Sequence, residues 1–456
     1  MRDLTFGTLS SSALGLFTDL YELRMMAGYY EHDHTPEATF DLFVRTLPAD
    51  RGYLIAAGIE QVLAFVESIS FEEPALSYLA EQGFSDAFLE ELADFEFSGD
   101  IRAVPEGTPV FPTEPILEVT APLPQAQLLE TVAINQVGYQ TLIATKARRM
   151  RDVVDRLGDE QTLVDFGTRR AHGTDAGIKA ARASRVGGFD GTSNVVAGEL
   201  FDLPVVGTMA HSWVQSFEHE REAFERFLES YGEDSVLLVD TYDTEAGIAL
   251  ARDVATETGV DPRGIRLDSG DLATLSNRAQ EIYPEPATFV SSGLDEYAIR
   301  EFLESGGVAD GFGPGTSLTT SADAPAGDFV YKLVAIERDG EMAPTMKLSS
   351  GKVTYPGRKS VTRVREDGVP VRDVVGLTTE DLPGEALLET VVEGGEVLQS
   401  VSIEDARGRA ESAVRELPVA HRLIDDPASY EIQISDELSD LAETVQRDLE
   451  TTTQRS

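Results

Sequence analysis

Residues 236–269 read VLLVDTYDTEAGIALARDVATETGVDPRGIRLDS. Two short apolar runs, VLLVDT (236–241) and GIRLDS (264–269), flank TEAGIALARDVATETG, whose apolar residues recur at i, i+3, i+4 and i+7. The runs have the length of buried strands, and the segment between them has the period of a helix lying on a core. A strand, a helix and a strand in this order make a parallel pair with a crossover.

The same alternation extends outward from about residue 160 to 335. Further runs are LVDFG (163–167), VGGFDG (186–191), LPVVGT (203–208), TFVSSG (288–293), DGFGPG (310–315) and VYKLVAI (330–336). Helical patterns such as DAGIKAARASR, SWVQSFEHEREAFERFLESYG and LDEYAIREFLESGG lie between them. Repeated this often, the pattern predicts an α/β fold, with a closed or nearly closed (β/α) barrel as the first solution and an open doubly wound sheet as the second. The flanks read differently. Residues 35–125 mix an alternating strand (ATFDLFVRTL), a helix (AAGIEQVLAFVESI) and Pro-punctuated strands, and residues 340–400 look similar. The expected organisation is an α+β domain at 1–125 completed by 337–400, a (β/α) barrel catalytic domain at 126–336, and a C-terminal helical extension at 401–456.

Composition limits the partners. The 456 residues carry 37 Lys+Arg against 81 Asp+Glu, a net charge of −44. Such a field repels nucleic acid and anionic membrane surfaces, so neither is expected as a partner. Cys is absent, which removes disulfides and thiolate chemistry. The N-terminus has no apolar run of signal-peptide length, and no stretch approaches the roughly 18 apolar residues of a membrane span, so a cytoplasmic location is expected. Only six of the basic residues are Lys, at 146, 179, 332, 347, 352 and 359. Excess carboxylate with little Lys suits a halophile, because at molar salt the Debye length is about 3 Å and self-repulsion is screened. Lys347, Lys352 and Lys359 either face phosphates or make salt bridges.

The strand ends carry polar, glycine-rich sequence in every case: DFGTRR, GGFDGTSN, GTMAHSW, DTYDTEAG, RLDSGD, SSGLDE and GFGPGTS. Strand C-termini converge on one mouth in parallel barrels, which makes an enzyme the natural reading. Thr208 and His211 follow an apolar run; the imidazole is either a helix cap or an accessible base, ligand or phosphoryl acceptor. Asp240 with Asp243, and Asp268 with Asp271, either hold Mg²⁺ and ribose hydroxyls or cap helices. Arg169, Arg170 and Arg266 at a barrel mouth meet phosphate or carboxylate bidentately. The loop of Gly313, Gly315, Thr316 and Ser317 offers backbone N–H groups to a phosphate. Together these residues imply a phosphorylated, polyhydroxylated substrate.

Read in order, LFTDLYELRMM, INQVGYQTLIATKARR, DFGTRRAHG, GGFDGTSNVVAG, GTMAHSWVQSF, VDTYDTEAG, RLDSGDL, GFGPGTS and MKLSSGKVTYPGRK resemble the motif series of nicotinate phosphoribosyltransferases. The resemblance runs from about residue 16 to 360. It implies the irregular barrel of type II phosphoribosyltransferases, and transfer of phosphoribose from phosphoribosyl pyrophosphate to nicotinate, with Mg²⁺ as cofactor and ATP as co-substrate. It places the phosphohistidine on His211 and the catalytic carboxylates on Asp240 and Asp268, which are also the implied metal ligands. Tyr21, from the second subunit of a homodimer, and Phe166 would sandwich the pyridine ring, with Arg169, Thr208 and Arg266 also on the nicotinate. Arg170, Gly313, Gly315 and Thr316 would take the phosphoribosyl group. Ser193 stands where the related nicotinamide-using enzymes resemble an Asp, so a neutral hydroxyl there favours nicotinate. Alternatives are a nicotinamide- or quinolinate-specific transferase and a non-catalytic nucleotide-binding barrel.

Overall fold

A computed structural model describes residues 9, 11–348, 354–398 and 400–453. Lys352 and the last three residues of the TTTQRS end lie outside the described residues. The chain forms two compact units, one of residues 1–145 and 324–456 and one of residues 146–323.

The 146–323 unit is built on a six-stranded parallel sheet in the order Gly191–Thr192, Thr162–Asp165, Gly311–Gly313, Ala287–Ser291, Gly264–Leu267, Val236–Leu238. The registers bring the strand ends level: Leu238 pairs with Arg266, Arg266 with Phe289, and Asp165 with Thr192. Val205 adds a single parallel bridge to Thr192. Pro204, which has no N–H to donate, keeps that run from becoming a full strand. With Val205 included, the strand order follows the chain around a circle, and Val164, Val205, Val236, Phe289 and Phe312 all line one interior cavity of about 280 Å³. Among the described residues no ladder joins Val205 to Val236. The α/β architecture is therefore that expected, while the barrel remains open along one seam in hydrogen-bond terms.

Helices Thr174–Val186, Thr244–Thr258, Leu272–Ile282 and Glu296–Glu304 follow their strands as the 3.6-residue period predicts. Asp243, Asp271 and Asp295 cap three of them, accepting from the backbone N–H of Ala246, Thr274 and Tyr297 with Ala298. The single helix read from SWVQSFEHEREAFERFLESYG is two, His211–Gln215 and Glu220–Tyr231. Two strands read from sequence also differ. Residues 186–190 of VGGFDG finish a helix and turn, leaving only Gly191–Thr192 extended. VYKLVAI is not a barrel strand: it lies in Phe329–Arg338, antiparallel to Glu37–Val44 in the other unit.

That other unit carries a seven-stranded antiparallel sheet in which Glu37–Val44 lies between Leu117–Pro122 and Phe329–Arg338. Phe40 stacks on Tyr331 across the ladder at 4.9 Å between ring centres. Residues 401–456, expected to be helical, also supply the strand Glu431–Ile434, which pairs with Val369–Leu377. Tyr430 anchors it, stacking on Phe111 and donating to Asp373, whose carboxylate is also gripped by Arg363. Lys359 does not face phosphates. It is buried on Asp41 at 2.8 Å and donates to the carbonyls of Tyr355 and Gly357.

Candidate active site

A cavity of about 760 Å³ opens at the C-terminal ends of the parallel strands. Twelve of the residues singled out from sequence line it: Phe166, Arg169, Arg170, Ser193, Thr208, His211, Arg266, Asp268, Gly313, Gly315, Thr316 and Ser317. They come from five separate segments, and the parallel register brings them to one level.

The DFG turn is built first. Asp165 is fully buried and accepts from Gly167 N at 2.7 Å and Thr192 Oγ1 at 2.8 Å. Burial pushes its carboxyl up, and those two donors pull it back. Phe166 N donates to Pro314 O, which sets the ring beside Gly313. A Cβ at Gly313 would come within 2.4 Å of that ring, so glycine there is a requirement of the ring's position. Ser193 N donates to Asp165 O, which carries the Ser193 hydroxyl to the rim beside the ring.

On the opposite side His211 begins its short helix; Ala210, not His211, is the cap residue. The imidazole is about two-fifths exposed, with Nδ1 3.2 Å from Thr241 Oγ1 and Nε2 3.8 Å from Asp268 Oδ2. Trp213 of the same motif is structural, donating to Ala223 O and packing on Phe217 and Phe227.

Three guanidinium groups surround the cavity. Arg266, on the strand Gly264–Leu267, donates from Nη1 to Thr208 Oγ1, and its Nε is buried with no partner among the described residues. Burial lowers its pKa, Asp268 and Asp240 raise it, and Arg169 lowers it further. Arg169 and Arg170 project from the turn Thr168–Arg170, exposed and without a side-chain partner among the described residues. An anion entering here meets uncommitted donors.

The Asp pairs separate into two roles. Asp243 and Asp271 are helix caps. Asp268 faces the cavity. Asp240, expected to be a catalytic and metal-holding group, does not line it: Asp240 is buried, and its Oδ2 accepts from Asp268 N at 2.8 Å and Ser269 Oγ at 2.7 Å. Glu220, which sequence reasoning missed, begins the helix after the His211 helix. Burial, then Asp240 and Asp243, push its carboxyl up to about 7. In an acidic chain nothing local set it apart. Tyr21 belongs to the other unit, half-exposed on helix Leu20–Glu31, where burial and then the charges of Glu130 and Glu22 push its phenol well above the usual range.

Among the described residues no three His, Asp or Glu side chains converge on a metal position. The cavity-facing carboxylate of Asp268 still fits Mg²⁺, which binds through one or two carboxylates together with substrate phosphates.

A parallel α/β unit with this strand order has the fold of a type II phosphoribosyltransferase. The human nicotinic acid phosphoribosyltransferase structure superposes on 94% of this chain and 99% of its own with a TM-score of 0.83 at 28% identity. The sequence pattern of the nicotinate phosphoribosyltransferase (NAPRTase) N-terminal domain matches residues 16–138, and that of the NAPRTase family residues 161–376. The chain is 43% identical to nicotinate phosphoribosyltransferase pncB2 of Mycobacterium tuberculosis over 434 residues, 93% of this chain and 92% of that one. It is 46% identical to the nicotinate phosphoribosyltransferase of Bacillus subtilis over 364 residues, covering 77% and 73% of the two chains. This chain belongs to the nicotinate phosphoribosyltransferase family.

Proposed function

We propose that the chain transfers phosphoribose from phosphoribosyl pyrophosphate to nicotinate, releasing pyrophosphate, with ATP hydrolysed through phosphorylation of His211. The observation that carries this reading is the meeting of Arg169, Arg170, Arg266, Asp268, His211, Phe166 and Ser193 in one cavity. Phe166 offers a ring face, and Arg266 offers the unpaired donor that a pyridine carboxylate needs. Cleavage at the anomeric carbon builds positive charge on ribose and negative charge on pyrophosphate. Asp268 suits the first and the arginines the second. Asp268, together with the pyrophosphate, would hold Mg²⁺, which would supply further charge neutralisation. Arg170 with the Gly313–Thr316 loop takes the phosphoribosyl phosphate.

In the same reading the unit of residues 146–323 is the catalytic domain and that of 1–145 with 324–456 the flanking domain, with Phe329–Arg338 and Glu431–Ile434 counted in the latter. Tyr21 completes the site from the second subunit of a homodimer. The chain works in the cytoplasm of a halophile, in NAD salvage, without nucleic acid or membrane as partner. Pyrophosphate release assayed with nicotinate, nicotinamide and quinolinate, with and without ATP in molar KCl, tests it. Turnover with nicotinate, accelerated by ATP, is expected. Preference for either other acceptor overturns the substrate, and ATP-independence overturns the phosphohistidine.

A further inference from the structure

Asp268 follows the middle of three neighbouring strands, and both neighbours reach across to it. From beyond Val236–Leu238, Asp240 Oδ2 accepts from the Asp268 backbone N–H and from Ser269 Oγ. From the end of Ala287–Ser291, Ser291 Oγ donates to Asp268 Oδ1 at 2.5 Å. Ser291 is 3% exposed and lines the same cavity as Asp268. Asp268 Oδ2 remains, turned toward His211 Nε2 at 3.8 Å. The backbone on one side and one carboxylate oxygen on the other are therefore both fixed.

The outer torsion of an aspartate is broad and roughly two-fold, so nothing intrinsic to the residue holds its carboxylate plane. Arg266 carries the opposite charge and feels that of Asp268. Asp240 fixes where the main chain of Asp268 sits but cannot fix the rotation of its carboxylate. Only Ser291 does that among the described hydrogen bonds.

We propose that Ser291 is a positioning residue for Asp268: its hydroxyl pins Oδ1 so that Oδ2 is presented to the cavity beside His211. Without the hydroxyl the carboxylate turns toward the guanidinium of Arg266, and the charge that should meet the developing cation on ribose is misplaced. The proposal rests on the reading of Asp268 as part of the transfer machinery. Losing a residue that orients a site carboxylate costs roughly ten- to a hundredfold in activity.

Steady-state kinetics of the full chain in molar KCl, on Ser291→Ala, Ser291→Thr, Asp268→Asn and the Ser291→Ala/Asp268→Asn pair, test it. Ser291→Ala is expected to lower kcat with little change in the KM for nicotinate, Ser291→Thr to restore most of the loss, and Ser291→Ala to add nothing once Asp268 is Asn. A wild-type kcat for Ser291→Ala alongside an impaired Asp268→Asn overturns this inference and leaves the proposed function standing. A wild-type kcat for Asp268→Asn removes the role of Asp268 and the inference with it. Equal losses from Ser291→Ala in both backgrounds make Ser291 merely structural and also overturn it. Where Asp268→Asn turns over too slowly for the cycle, a crystal structure of Ser291→Ala decides: a rotated Asp268 carboxylate supports the proposal, and an unmoved one sinks it.

Discussion

Arg266 is a charge held where burial opposes it. Asp268 and Asp240 offset part of that penalty, and Thr208 takes one of its donors. The unpaired Nε is the donor a bound carboxylate would satisfy. Arg266→Lys keeps the charge but loses the planar fork, so the KM for nicotinate should rise about tenfold or more, the size of one charged hydrogen bond at about 1.5–3 kcal/mol, with kcat less affected. At the rim, Ser193→Asp would set a carboxylate beside the acceptor and should weaken nicotinate use while leaving nicotinamide less affected; unchanged kinetics with both would remove Ser193 from the specificity argument. The residue types at the mouth were legible because cations and hydroxyls at strand ends have few structural reasons to recur together. The division of labour between paired aspartates was not. Asp serves equally as ligand, brace or cap, and the choice depends on backbone N–H groups that only the folded chain presents: those of Ala246 and Thr274 for the caps, that of Asp268 for the brace.

Helices and strands divide along the same line. The helices of the parallel unit follow from their period, and their caps are separable from the chemistry. Asp243→Ala and Asp271→Ala should each cost about 1 kcal/mol in denaturant unfolding and leave turnover near wild type, whereas Asp240→Ala should abolish turnover. Loss of activity in the cap variants at unchanged stability would return those residues to the site. Strand identity was read correctly at VLLVDT, GIRLDS and TFVSSG, but VYKLVAI was assigned to the barrel. An apolar run carries no record of its partner, and the partner of this one, Glu37–Val44, lies some 300 residues upstream, as the pairing of Ala38 with Ile336 shows. The LPVV run failed as a full strand because a proline interrupts its ladder.

The whole molecule carries a net charge of −44, and its folding should depend on salt. Raising KCl from about 0.1 M to molar shortens the Debye length from about 10 Å to about 3 Å, so Tm should climb steeply over that range; a flat profile would refute the halophilic reading. A second dependence is local. Burial, and then Asp373, push the buried Glu114 carboxyl well above its usual range, with Arg363 pulling the other way. Because its folded pKa lies above the unfolded value of about 4.3, its stabilising contribution is complete below that pH and is lost as pH rises toward the folded pKa. Glu114→Gln cannot ionise, so melting curves of the two proteins should diverge in favour of the variant as pH rises above about 4.3, the unfolded carboxyl value. Parallel curves would show that Glu114 is already compensated. The seam between Val205 and Val236 has its own consequence. Widening the circle there breaks no ladder bond, so the girth of the mouth can adjust to a bulky nucleotide without unzipping any strand. Deuterium should accordingly enter the amides of Val236–Leu238 before those of Gly264–Leu267, which is paired on both sides, and entry at both strands should slow when nucleotide fills the cavity.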